Sequence, residues 1–136
     1  MIAYYFFSGI VSAEVCVLEY VRVRGVIANP FKRSLRLEVE FIADAGAIYT
    51  MIPEAIARKL DLSATGKRRF KLADGRIVEY PVSEAFIVIE ERGATSLVVI
   101  GPEKASPLLG VTTLELLGLQ VDPVTGKLKP LELMIL

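Results

Sequence analysis

From Ser34 to Ala43 the chain reads SLRLEVEFIA, with Leu35, Leu37, Val39, Phe41 and Ala43 at every second position. A helix would scatter those five side chains around its axis, whereas a strand places them all on one face. The segment is therefore a strand with one buried side. It runs straight into Asp44-Ala45-Gly46-Ala47, after which the apolar sequence resumes with Ile48-Tyr49-Thr50. Three explanations compete for an acid at that point: a turn residue, a helix cap, or a catalytic carboxylate on a tight loop.

Period two dominates elsewhere as well. AEVCVLEYVRVRG alternates and is expected to stop at Gly25, with a turn at Ala28 to Pro30. Pro53 is expected at the first helical position of a short helix, EAIARKL, with Glu54 at its N-terminal end. FKLADGRIVEYPV predicts a hairpin turning on Asp74-Gly75. SEAFIVIEE and TSLVVIG predict further strands. VTTLELLGL predicts a second short helix, with Thr112 and Glu115 spaced as a capping box and Gly118 near its end. VDPVTGKL turns the chain and KPLELMIL is expected to close it as a strand. The sum is an all-β chain with two short helices. No linker or low-complexity tract divides its 136 residues, so a single domain over 1–136 is expected. Residues 1–24 form its N-terminal strands.

The opening MIAYYFFSGIV is apolar but too short to span a bilayer, and no basic residue precedes it. Its tyrosines and phenylalanines suit a strand in want of a partner. A degenerate signal or membrane-contacting segment is the alternative, and membrane contact is the less favoured reading.

Composition excludes several classes of chemistry. Sixteen basic and sixteen acidic residues cancel. Lys67-Arg68-Arg69 reads as a solvated loop and not as a phosphate grip, so nucleic acid is not an expected partner. The chain has no His, which removes Ser-His-Asp, Cys-His and His-ligated metal chemistry; no metal or other cofactor is expected. Its one Cys, Cys16, lies in an apolar run, reads as a buried strand residue, and permits no internal disulfide. That fits a reducing, cytoplasmic setting. Asn29 and Gln120 are the only side-chain amides, a composition expected of a hot-growing source.

An internal echo runs through the chain. A strand, Asp44-Ala45-Gly46 and a short helix ending KLDL are followed later by the strand SLVVIG, Leu108-Leu109-Gly110 and a short helix ending LLGL. Each copy places a Gly where the chain turns sharply. Only the first carries an acid.

With FIADAGA, the hairpin around Asp74-Gly75 and PLLGVTTLELLGL in that order, the chain resembles the retropepsin-like aspartic proteases, from about Leu35 to Pro123. The resemblance implies a closed, internally duplicated acid-protease barrel. Asp44 would be the catalytic acid on the loop Ala45, Gly46, Ala47. A flap would be tipped by Ala73, Asp74, Gly75 and Arg76, and Leu109-Gly110 would form a second glycine loop beside the site. It further implies an endopeptidase in which two carboxylates share a proton across a bound water. One carboxylate takes a proton from the attacking water while the other donates to the peptide carbonyl. Asp61, Asp74 and Asp122 sit in other contexts, so a dyad needs a homodimer with Asp44 from each subunit. The expected partners are a second copy of the chain and a peptide or protein substrate.

Three positions depart from that family. Ala45 stands where relatives carry Thr or Ser, whose hydroxyl ties the two loops together across the dyad. Ile48 and Val111 replace an acid and an Arg that pair in retroviral members, so packing is expected to replace the ion pair. The hairpin tip has one glycine, Gly75, where others have several. Ala45 favours an alternative in which Asp44 is a turn or capping acid in a catalytically impaired module that binds peptides or dimerises. Tyr49 and Thr50 read as core and helix-start residues.

Overall fold

A computed structural model describes residues 2–7, 10–18 and 20–135, with side chains from Val21 to Ile135. Strands β1 (Ile2–Phe7) and β2 (Ile10–Leu18) form an antiparallel pair of their own. The burial expected of Cys16, in β2, lies outside the described side chains. The main body follows as β3 (Tyr20–Asn29), β4 (Lys32–Asp44), β5 (Thr50–Pro53), α1 (Glu54–Lys59), β6 (Gly66–Lys71), β7 (Ile77–Ile89), β8 (Arg92–Gly101), β9 (Leu108–Leu109) and α2 (Val111–Leu116). A last hairpin, β10 (Leu119–Asp122) with β11 (Lys127–Pro130), ends the regular structure.

Seven strands pair in the order β3-β4-β9-β5-β8-β7-β6, and β3 also pairs with β7 through Val26–Ala28. That extra ladder joins six strands into a closed ring of pairings. β6 stands outside the ring on the first half of β7. The second half of β7, from Val82, pairs with β8. The β6–β7 hairpin therefore projects from the body as an arm. Pro81 lies in the projecting half, where a missing N–H costs no bond to β8.

The alternation of β4 does what the sequence implies. Leu35, Leu37, Val39, Phe41 and Ala43 turn inward, and Phe41 and Ala43 are fully buried beside Ile27, Ile52, Ile87, Ile89, Val98 and Leu109. Asp44 falls on the opposite phase, with Glu40 and Ile42, so β4 delivers its carboxylate away from the core.

The duplication is present, but its register differs from the sequence echo. The parallel pairings are β4 with β9 and β8 with β5: each half's long strand pairs with the other half's short one. Thus β5–α1 corresponds to β9–α2, and the segment equivalent to Asp44–Tyr49 is Gly101–Ser106. Leu108-Leu109 is itself the short strand and Gly110 caps the helix. Glycine spacing misleads here because the two glycines serve different elements.

Other expectations are corrected by packing. β3 runs through Gly25 to Asn29; a Cβ at Gly25 would strike Ile89 Cδ1 and lie 2.8 Å from Val88 O. That glycine permits close strand approach and ends nothing. Asn29 Oδ1 accepts from the N–H groups of Phe31 and Lys32, so the turn falls at Pro30–Phe31. Lys67, Arg68 and Arg69 are exposed, but they lie in β6 and not in a loop. Pro53 is the N-cap of α1 and not its first helical residue. β11 stops at Pro130 because β10 begins only at Leu119, leaving Leu131 onward no strand to pair with. Leu133, Met134 and Ile135 are exposed.

Candidate active site: the Asp44 loop and its buttress

Asp44 is the last residue of β4 and its backbone carbonyl accepts from Ala47 N–H at 3.0 Å, closing a four-residue turn. Its Oδ1 accepts from Gly46 N–H at 2.8 Å. A Cβ on Gly46 would lie 3.3 Å from that oxygen, tighter than ordinary contact, so a glycine best suits this bend. Among the described residues no Lys or Arg lies within ion-pair distance of Asp44. Asp44 is half-buried while Ala45 and Gly46 are exposed, leaving the loop's crest uncovered in a single chain.

The loop is held from behind by α2. A helix start leaves N–H groups without partners, and here the Asp44 loop supplies them. Val111 N–H donates to Ala47 O at 2.8 Å and Thr112 N–H to Ile48 O at 3.0 Å. Gly110 N–H donates to Thr50 Oγ1 at 2.9 Å. Ile48 and Val111 carry no charge, so the contact between loop and helix runs through these main-chain bonds. The expected capping box is absent. Gly110 is the N-cap and no side chain caps the helix, because Thr112 already lies inside it. Gly118, at φ +70°, ends α2 as expected.

Gly110 has no room for a side chain. Its Cβ would overlap the backbone of Tyr49 and lie 2.6 Å from Ile48 O and 2.7 Å from Thr50 N. Leu109 is buried and pairs with Ala43, one residue before the acid. The structure thus brings Asp44, Ala45, Gly46, Ala47, Leu109 and Gly110 together as one unit.

The hairpin contributes differently. Leu72 N–H donates to Arg76 O and Gly75 N–H to Leu72 O. The tip is therefore a three-residue loop with Gly75 at φ +87°, not a two-residue turn on Asp74-Gly75. Asp74 accepts from Arg76 N–H at 3.0 Å and from Arg76 Nε at 2.7 Å. Those two bonds, the main-chain one foremost, hold its carboxyl below the ordinary value.

Between the hairpin and the Asp44 loop runs a cleft of about 410 Å³, walled by Gly46, Ala47, Ile48 and Tyr49 on one side and Phe70, Leu72 and Tyr80 on the other, with Met51, Val99 and Leu108 as its apolar floor. Tyr49 meets Phe70 edge-on at 5.6 Å and Phe70 lies 6.5 Å from Tyr80, linking loop to arm. Tyr49 is thus a partly exposed wall residue and not core; Thr50 is fully buried. The tip residues Ala73, Asp74, Gly75 and Arg76 lie beyond this lining. A second hollow of about 430 Å³, between α1 and Pro81, touches no residue of the Asp44 loop. The first borders the candidate loop from Gly46 to Tyr49. Among the described residues no three acidic, Cys or His side chains gather as a metal site, and no helix is long and apolar enough to cross a membrane.

A family model described as aspartyl protease matches residues 21–121, the span that holds loop, hairpin and α2. The chain belongs to the aspartyl protease family. No curated protein matches it. Among solved structures, simian foamy virus (mac) protease is 17% identical, with 69% of this chain and 91% of that chain covered and a TM-score of 0.50. A retropepsin-like aspartic protease from Rickettsia conorii is 18% identical, covering 81% and 85%, also at 0.50. The foamy viral protease–reverse transcriptase gives 0.54 at 16% identity, covering 86% of this chain and 13% of that one. At such identities the likeness is one of fold, and that fold is the mostly β, retropepsin-like one. This member of the aspartyl protease family thus has the architecture implied by its Asp44 loop, its Asp74-Gly75 hairpin and its Leu109-Gly110 segment taken together.

One part of the site escaped the sequence. Thr50, Thr113 and Ser96, from β5, α2 and β8, are buried and joined through their hydroxyls. A Thr in an apolar run is compatible with strand or helix on either face, so no local signal distinguishes them. Only α2's return to the loop makes them neighbours.

Proposed function

We propose that two copies of the chain form an aspartic endopeptidase whose dyad is one Asp44 from each subunit. The observation that carries this reading is the Asp44 loop itself. It presents a carboxylate without a cationic partner among the described residues, away from the core, on a turn fixed by four main-chain N–H donors and bordered by a peptide-sized apolar cleft. The remaining described aspartates are otherwise employed. Asp61 follows α1 at φ +53°, Asp74 pairs with Arg76, and Asp122 accepts from Val124 N–H in the β10–β11 turn. One chain therefore supplies one acid. Two carboxylates brought close cannot both ionise; the charged one deprotonates water while the other protonates the carbonyl. The arm formed by β6 and β7 serves as the flap over an extended peptide.

Asp44→Asn keeps the shape of the side chain and removes proton transfer. It should abolish hydrolysis of an unfolded protein at acidic pH while melting temperature and dimerisation persist. Undiminished cleavage by the purified variant would sink the assignment. Ala45 favours a second reading, a peptide-binding or dimerising module, which predicts peptide capture and a dimer but no cleavage by the wild-type chain.

A further inference from the structure

The buried hydroxyls have a determinable direction. Ser96 Oγ has one proton and donates it to Leu97 O at 3.1 Å. It must therefore accept from Thr113 Oγ1, 2.8 Å away. Thr113, its proton thus used, must accept from Thr50 Oγ1, and Thr50 also accepts from Gly110 N–H. The opposite sense would strand the Thr50 proton, because the only other group bonded to Thr50 Oγ1 is itself a donor. The chain runs from Gly110 N–H through Thr50, Thr113 and Ser96 to the carbonyl of Leu97. No buried side-chain oxygen or nitrogen among the described residues is left unpaired.

We infer that Thr50, Thr113 and Ser96 are positioning residues of the proposed site, a single hydroxyl chain that anchors the Asp44 loop to α2 and β8. The inference rests on the endopeptidase reading for its consequence in catalysis, though not for the existence of the chain. Thr50 fixes the far end of the loop whose near end is fixed by β4. Thr113 locks that point to the helix whose N-terminus holds Ala47 and Ile48. Ser96, fully within β8, grounds the chain in the barrel. Bonds in series polarise one another, so the three hydroxyls should act as one element.

The test uses the full-length protein and two linked readouts. Ser96→Ala removes the last link at the greatest remove from Asp44 and is the variant least able to disturb packing. It should speed hydrogen exchange at the Gly110 amide by about tenfold. Thr113→Val keeps shape and removes the hydroxyl; below its melting temperature it should lower kcat about tenfold or more with KM little changed, since small misplacements at a reacting centre are costly. Thr113→Ser should restore both. The double variant Ser96→Ala/Thr113→Val should lose no more kcat than Thr113→Val alone. Unaltered Gly110 exchange in Ser96→Ala would overturn the chain. Altered exchange with unchanged kcat in Thr113→Val would overturn its positioning role. If the wild-type protein cleaves nothing, the endopeptidase reading fails, while the exchange measurement still decides whether the chain exists.

Discussion

The two helices are copies of one design with different duties. α1 and α2 each span six residues and each follows a short strand that pairs in parallel with the opposite half. α1 faces solvent with charge: Arg58 bridges Glu54 at 2.8 Å and Glu103 at 2.6 Å. Its N-cap is a proline and no loop carbonyl among the described residues takes its first N–H groups, while Asn29 of β3 donates to Leu60 O and Asp61 O at its far end. α2 has no acid in its first turn and no base in its last, buries Thr113 and Leu114, and takes its N-terminal acceptors from the Asp44 loop. The duplicated fold thus provides two helix starts. In the half-crossing that carries Asp44, the chain has bent its loop carbonyls onto one of them. A helix that is merely stable can be charged and exposed; a helix that holds a loop in place has its N–H groups committed.

That contrast is breakable at the N-caps. Gly110→Ala drives a Cβ into main chain that cannot move without displacing the loop, and should cost about 3 kcal/mol or more, the upper end of overpacking. Pro53→Ala, at the matching position of α1, should cost about 1 kcal/mol, chiefly through a freer unfolded chain. Urea midpoints of the two variants check the ranking. Equal losses would mean that α2 has no special bond to the loop.

The comparison sharpens at Ala45, which borders a hollow of about 250 Å³ lined by Val111, Leu114, Leu119, Val121 and Leu131. The hollow gives a larger side chain room. The family resemblance implies a hydroxyl at this position, so if the proposed dimer brings the two loops together, Ala45→Thr should tighten it by about 1 kcal/mol for each bond recovered across the axis. Sedimentation equilibrium measures it. A looser dimer with no gain in cleavage would refute the expected grip between loops.

The smallest effect belongs to α1. Arg58→Ala removes two exposed ion pairs and should cost less than about 1 kcal/mol, shrinking further in salt, with activity unchanged. A large loss of cleavage would assign α1 a part in the site that its geometry does not suggest.

How much of this was legible in the sequence follows from the range of each signal. The alternation of Leu35 to Ala43 fixed a strand, its inward face and the outward phase of Asp44, because period two is local. The β6–β7 hairpin was legible from Asp74-Gly75, although its loop is one residue longer, since only Gly75 takes the positive φ. Leu109-Gly110 was legible as a partner of the acid loop only through resemblance. Distance in sequence hid the rest. Gly25 looks like a terminator until Ile89 and Phe41 are seen to need its space. Thr112 and Glu115 have capping-box spacing, but Ile48 O already takes the N–H of Thr112. Glu90 and Glu91 turn the β7–β8 hairpin at φ +50° and +67° without glycine, so no turn signal marked it. Thr50, Thr113 and Ser96 converge only after the barrel closes.

The central claim is that each active site needs an Asp44 from both subunits. Wild-type protein and Asp44→Asn should be mixed in varying ratio, allowed to exchange subunits, and assayed for cleavage at constant total protein. Mixed dimers would hold one acid and be inactive, so activity should follow the square of the wild-type fraction, about one quarter at equal mixing. A linear fall, to about one half at equal mixing despite demonstrated exchange, would mean that each chain carries a complete site and would contradict the shared dyad.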